Sequence, residues 1–317
     1  MSLLRAALHL VRVFAGAAML RRRAYGWLRL PPEQQFPPAA IRRFYHYYWG
    51  TSYLAAVFTA LSGRDRSGAE RRLFARMAAL AAYFDDISDG FTAADDPADW
   101  PGRSRLLDRR GTALYLLDDL RRSLPLEQAG WFEPALERVY QAEMNNTRGG
   151  GPRELLRQTR EKGGNSVLLF RSLLYPPPSE EERGLLFEFG QLIQLCDDIF
   201  DVWFDHGAKG QSTLALHFLH RNDVAGLIQL FEKQVDSVKD KFRKASSPNR
   251  NKAWGTVFFL VAATRVALDH YRRLARRYST LPLQNRAEMV VDMAAWPNRW
   301  RLLVMILRKS GKTGRSA

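Results

Sequence analysis

From Ala39 onward the apolar residues of this chain recur almost everywhere at the spacing of a helix face, and nowhere do several alternating stretches follow one another as a sheet would require. Bounded upstream by Pro31-Pro32 and Pro37-Pro38, that pattern commits the chain to an all-α fold. The spacing predicts helices over residues 39–61, 69–90, 103–124, 126–146, 153–174, 179–204, 223–244, 249–278 and 283–307. Pro176-Pro177-Pro178 stops one helix and Ser179, followed by Glu181 and Glu182, starts the next: proline cannot continue a helix, and a serine oxygen can accept from its free amides. No repeat and no long polar linker divides the middle. The expected organisation is one helical domain over residues 38–307, an N-terminal arm over 1–37, and a basic tail over 308–317 that is expected to be disordered. Helices this long, apolar over wide faces, point to a single large bundle around a central cavity or core.

Composition narrows the function classes without choosing among them. With 317 residues, 46% hydrophobic, the chain can bury a sizeable core, which excludes global disorder. A net charge of +15 suggests an anionic partner: nucleic acid, a membrane surface or an anionic substrate. The lone cysteine, Cys196, rules out an intrachain disulfide and a cysteine-rich zinc site, so the cytoplasm is the expected compartment. The apolar stretch over residues 1–20 is interrupted by Arg5, His9 and Arg12 and followed by Arg21-Arg22-Arg23, too short and charged to span a bilayer. It is expected either to pack on the domain or to lie as an interfacial helix, a peripheral membrane contact.

Two short acidic runs carry the chemistry: Asp85-Asp86-Ile87-Ser88-Asp89 and Asp197-Asp198-Ile199-Phe200-Asp201, each of the form DDxxD and each at the polar end of an apolar helical stretch. On a helix the first and last aspartates of such a run project side by side, and their repulsion is unfavourable unless a cation offsets it. Magnesium, which takes carboxylate oxygens, waters and substrate phosphates together, suits such a cluster. One acidic run alone reads best as a solvated helix end. Two copies of the same pattern, each preceded by apolar sequence, favour a pair of metal sites that would clamp a diphosphate if they faced one another across the mouth of a bundle. Loss of diphosphate from an allylic ester leaves a carbocation, so such a site needs cationic groups for the leaving anion and apolar walls that exclude water. Lys162, in Glu161-Lys162-Gly163-Gly164-Asn165-Ser166, and Lys209, in the turn from Gly207 to Gly210, are candidates for the anion. Gln194 and Asp205, one turn before and one turn after the face of Asp197 and Asp201, are candidates to support the metal ligands. Phe44, Tyr45, Tyr47, Tyr48 and Trp49, with Tyr83 and Phe84, offer an aromatic wall, although any one of them taken singly reads better as ordinary core.

The stretch from Gly190 to Val202, with Gln194 three residues before Asp197, resembles the second aspartate-rich motif of trans-prenyl diphosphate synthases, and Asp85 to Asp89 is similar to their first. Lys162 resembles the lysine that precedes the helix ahead of the second motif, and Lys209 the lysine that follows it; Asp269 to Trp296 shares the family's cadence. The resemblance implies the isoprenoid synthase fold, trinuclear magnesium held by Asp85, Asp86, Asp89, Asp197, Asp198 and Asp201, and a prenyl diphosphate substrate.

Chain-elongating members also carry a Gly-Gly-Lys-Arg segment well before the first motif, a histidine shortly before it and an Arg-Arg pair shortly after it; this chain has none of these at the expected places. Arg42-Arg43 and Arg109-Arg110 are basic pairs elsewhere, and residues 78–82 offer no histidine. The second motif also differs from the Asn/Ser/Glu triad of ordinary class I terpene cyclases. The chain therefore most resembles terpene synthases built on a prenyltransferase-like scaffold, with squalene and phytoene synthases neighbouring. In such families bulky aromatics ahead of the first motif close the tunnel floor; Leu80 and Ala81 stand there, which implies a pocket for farnesyl or longer chains. The expectation is a terpene cyclase, with a condensing prenyltransferase as the alternative. A basic helical nucleic-acid-binding protein would account for the charge but leave both acidic runs without a purpose. A homodimer is compatible with the sequence.

Overall fold

The computed structural model describes residues 2–90, 103–144, 151–209 and 213–312, and among these there is no strand. The chain is all-helical, as the apolar spacing predicts. Its helices are α1 (Ser2–Gly26), α2 (Pro38–Ser62), α3 (Gly68–Gly90), α4 (Arg103–Ser123), α5 (Leu126–Met144), α6 (Pro152–Arg171), α7 (Glu180–Phe200), the single turn α8 (Val202–Phe204), α9 (Leu214–His220), α10 (Val224–Lys244), α11 (Arg250–Arg277), the short α12 (Arg286–Met289) and α13 (Trp296–Lys312). No helix is long and apolar enough to cross a membrane among the described residues.

The chain packs as two compact units, one of residues 8–137 and 169–178, the other of 1–7, 138–168 and 179–317. In the first unit α2, α3 and α4 pack in sequence around the fully buried Phe44, Phe58, Phe74, Leu116 and Leu120. Gly63 ends α2 with φ 70°, a left-handed conformation that costs glycine nothing, and its N–H returns to the Thr59 carbonyl. The start of α3 is a capping box: the Glu70 amide bonds Ser67 Oγ at 3.2 Å and the Ser67 amide bonds Glu70 Oε2 at 2.7 Å. The same carboxylate accepts from Arg64 Nη1 at 2.9 Å and from the Tyr175 amide at 3.1 Å. Burial pulls the Glu70 carboxyl upward, but Arg64 and the Ser67 and Tyr175 amides outweigh it and hold it below the ordinary range. From Leu8 onward α1 lies against α2, with Phe14 and Trp49 ring centroids 5.2 Å apart and His9 Nε2 2.9 Å from the Ala56 carbonyl oxygen.

In the second unit α7 packs against α9, α10 and α11, around the fully buried Phe189, Phe231, Phe242, Phe258 and Tyr271. Ser179 caps α7 as the sequence predicts, its side chain accepting from the Glu182 amide at 3.2 Å. The last predicted helix is not continuous. Over residues 278–295 the chain is extended and turned apart from the single turn α12, with Leu281, Leu283, Met289 and Val291 buried. Side chains set the backbone there: Asn285 caps α12, accepting from the Ala287 and Glu288 amides, and Asp292 accepts from the Ala294 amide at 2.7 Å. A regular helix resumes only at Trp296 and runs past the predicted end to Lys312.

Candidate functional site

The second acidic run straddles the C-terminus of α7. Asp197 and Asp201 are exposed and Asp205 is half-buried. Each stands one turn beyond the last on a single line of backbone hydrogen bonds, the Asp201 amide donating to the Asp197 carbonyl and the Asp205 amide to the Asp201 carbonyl, both at 2.9 Å. Asp198 points the other way and is buried. It accepts from Thr159 Oγ1 of α6 at 3.2 Å and from Gln194 Nε2 at 3.0 Å. Gln194 Nε2 also lies 3.4 Å from Asp197 Oδ2, so one amide orients both carboxylates. Burial pushes the Asp198 carboxyl up to about 6; Gln194 opposes that shift, Asp197 adds to it, and Lys162 and Thr159 oppose it.

Lys162 is half-buried and pairs with Glu143 Oε1 of α5 at 3.0 Å. Neither Glu143 nor Thr159 stands out in the sequence, because each comes from another helix. What brings α6 to α7 is glycine: a Cβ on Gly163 would lie 2.2 Å from the Gly190 carbonyl oxygen, and one on Gly164 would lie 2.4 Å from the Phe187 ring. The helices touch backbone to backbone, which sets Thr159 and Lys162 beside the acidic run. Next to this crossing, a cavity of about 10 Å³ is lined by Leu156, Thr159, Gln191, Leu195, Leu214 and Gln234. It is the size of one water, and it adjoins Gln191, whose buried Nε2 has no hydrogen-bond partner among the described residues. The Gln191 Oε1 accepts from Arg160 Nε at 2.9 Å.

Beyond Phe200 the chain turns through α8 and a π-helical turn, Asp205–Lys209. Tyr271 of α11 fixes this end: its hydroxyl donates to the Ile199 carbonyl at 2.9 Å and also lies 3.4 Å from the Met289 carbonyl. Burial, then the Asp201 charge, raises the Tyr271 phenol well above its ordinary pKa. Cys196 is buried, and burial pushes its thiol up to about 12, which makes it an inert core group. The side chain of Lys209 lies outside the described residues.

The first acidic run lies at the end of α3; the side chains of Asp85, Asp86 and Asp89 are outside the described residues. Just before it, Tyr83 is buried, Phe84 and Ala81 are half-buried, and Ala78, Ala79 and Ala82 are buried. The aromatic cluster predicted on α2 reaches Tyr83 through a residue the sequence reading missed, Phe36, whose ring centroid lies 4.8 Å from Tyr83 and 6.3 Å from Phe44. Tyr48 is buried and stacks on Phe44 at 5.9 Å; burial raises its phenol against the opposing charges of Arg66 and Arg71. The signal for Phe36 was its place beside the proline break, which also brings Tyr25 to within 5.6 Å of it.

Among the described residues no group of three or more histidine, cysteine, aspartate or glutamate side chains is drawn together as a metal cage. The donors on the exposed side of the second run are nonetheless all carboxylate oxygens, the chemistry magnesium prefers, and a magnesium site needs few protein ligands because substrate phosphates and waters complete it. Asp197 and Asp201 stand on that exposed side and fit the role, whereas Asp198 is buried and turned towards Thr159 and Gln194. Compared with known proteins, the chain matches no family model and no curated protein.

Proposed function

We propose that this chain is a magnesium-dependent class I terpene synthase that ionises a linear prenyl diphosphate, farnesyl or longer, and cyclises or rearranges the carbocation. The observation that carries the reading is the pair of DDxxD runs, one at the end of α3 and one at the end of α7. The same reading takes the fold as an isoprenoid synthase bundle with a central active-site cavity, working in the cytoplasm, with trinuclear magnesium. Magnesium, when bound, would neutralise the clustered carboxylates and stabilise the departing diphosphate.

The remaining work falls to the chain's own side chains. Asp197 and Asp201 offer their oxygens on one exposed face, and Gln194 fixes the Asp197 carboxylate from behind. Asp85 and Asp89 take the corresponding part in the first run. Lys162, held by Glu143, and Lys209 supply positive charge for the leaving anion. Tyr83, Phe84 and Tyr48, with Ala81 setting the depth, form the apolar wall that excludes water from the cation.

The test is product analysis after incubation with geranyl, farnesyl and geranylgeranyl diphosphate and magnesium, with and without isopentenyl diphosphate. Diphosphate release from one allylic substrate alone is expected, with no lengthening by isopentenyl diphosphate. Asp85→Ala and Asp197→Ala should each lower turnover by at least about a hundredfold, with helicity unchanged by circular dichroism. Full turnover in strong chelator would sink the reading; a chain-elongated product would replace it with a condensing prenyltransferase.

A further inference from the structure

Helix α13 turns an apolar stripe to solvent. Trp296, Trp300, Leu303 and Leu307 follow i, i+4, i+7 and i+11 spacing, which on a helix confines them to an arc of about 60°. They are 73, 56, 43 and 59% exposed, whereas Leu302, Met305 and Ile306 of the same helix, which packs on α11, are half-buried. A stripe of two tryptophans and two leucines in water is costly, and it is too regular to be scattered surface hydrophobics.

The charge around the stripe says what covers it. Arg299 and Arg301 are exposed; at about 100° per residue Arg299 lies roughly 40° outside one edge of the stripe, whereas Arg301 lies roughly 100° beyond the other, towards the side that packs on α11. Arg301 is close enough to Arg273 of α11 to disfavour a second positive charge there, although burial contributes more to that effect. Arg272, Arg273, Arg276 and Arg277 of α11 are all exposed; Arg272 pairs with Asp269 at 2.5 Å and Arg277 with Glu288 at 3.8 Å. The sequence after Leu307 adds Arg308, Lys309, Lys312 and Arg315. A second copy of the chain laid on the stripe would set these cations against their own kind. Nucleic acid would satisfy the arginines and leave the tryptophans and leucines in water.

We infer that the Trp296, Trp300, Leu303 and Leu307 face of α13 docks lengthwise on an anionic lipid bilayer, the tryptophans at headgroup depth and Arg299 on lipid phosphates. Tryptophan and leucine on one face, with basic residues beside it and on the rest of the helix, is what an interfacial helix requires. The inference does not depend on the diphosphate reading, since it concerns a different surface and a different ligand.

Sedimentation of the full chain with sonicated vesicles tests it, using phosphatidylcholine alone and phosphatidylcholine with about one third phosphatidylglycerol. Binding to the anionic vesicles is expected, weakened by added salt, with a blue shift of tryptophan emission. Trp296→Ser/Trp300→Ser/Leu303→Ser, all exposed positions, should keep wild-type circular dichroism and lose about tenfold or more in partitioning. Arg299→Glu should weaken binding and flatten its salt dependence. The inference is overturned by an absence of wild-type binding, by equal binding to neutral vesicles, or by undiminished binding of the triple variant, which would move the contact to another surface such as α1. Loss of a wild-type dimer in the triple variant, with no vesicle binding by either, would overturn it in favour of self-association.

Discussion

Replacing Gly190 by alanine puts a methyl group where α6 and α7 meet. An ideal Cβ there lies 2.2 Å from the Gly163 carbonyl oxygen, 2.7 Å from its carbon and 2.8 Å from the Gly164 Cα, against 3.4 Å for the start of ordinary contact. All three obstacles are backbone, so no rotamer change relieves them, and the helices must part by roughly 1 Å. Overpacking of this kind costs about 1–3 kcal/mol. Separation on that scale also carries the 3.2 Å Thr159 to Asp198 hydrogen bond out of range, at about 1–2 kcal/mol for a buried carboxyl group that loses a donor. Against these stands the helix propensity of alanine over glycine, worth about 1 kcal/mol. The balance is a destabilisation of about 1–4 kcal/mol. Gly184, on the same helix, is the internal control: it is exposed and a Cβ there meets nothing within 4 Å. Gly184→Ala should therefore stabilise by up to about 1 kcal/mol. Urea unfolding followed by circular dichroism measures both, and the two midpoints should move in opposite directions. Midpoints that move together, or a Gly190→Ala variant as stable as the wild type, would refute the backbone contact as what holds α6 to α7.

Three further outcomes follow from the same physics. The Asp198 carboxyl is raised in the folded chain to about 6 from 3.8, so in chelator-containing buffer the unfolded chain ionises first and stability falls as pH rises across that window; Asp198→Asn should flatten a slope of roughly 2–3 kcal/mol in urea midpoints taken from pH 4 to pH 7. Glu70 is the opposite case, a depressed carboxyl whose contribution is present above the ordinary carboxylate range and is lost as pH falls. Glu70→Gln should cost about 1–2 kcal/mol near neutrality, discounted because Arg64 is 36% exposed, and the difference from wild type should vanish in acid unfolding. Under the proposed function, Ala81→Phe should shift the ratio of initial rates towards geranyl over geranylgeranyl diphosphate by about tenfold or more; an unchanged ratio with an intact fold would place the tunnel floor elsewhere.

What could be read ahead of the structure depended on range along the chain. Ser179 announced the start of α7 because proline, serine and glutamate act within one turn. Gln194 announced its place because positions three and four residues apart on a helix must meet, as its bonds to Asp197 and Asp198 do. Thr159 and Glu143 left no such mark, since their partners lie on other helices: the Gly163 to Gly190 crossing of α6 and α7 brings Thr159 to Asp198, and Glu143 of α5 meets Lys162 of α6. In the sequence Gly163 and Gly164 stood only as neighbours of Lys162, and nothing in linear spacing pairs them with Gly190. The predicted helix over residues 283–307 failed in its first half: Leu283, Met289 and Val291 are buried, but Asn285 caps only the single turn α12 and Asp292 accepts from the Ala294 amide, so a regular helix starts only at Trp296. α9 was missed because seven residues are too few for periodicity to declare itself.

The phenol of Tyr271 has one proton and two carbonyls within reach, Ile199 at 2.9 Å and Met289 at 3.4 Å. It can serve only one of them fully at a time, and at present it serves the last turn of the acidic helix. Should that turn draw away, the proton can pass to Met289 without stranding a buried donor. One tether thus has two moorings, one on the helix that bears Asp197 and the other on the irregular stretch that leads into α13. The free energy of slipping from one to the other is that of exchanging one hydrogen bond for another, not of losing one.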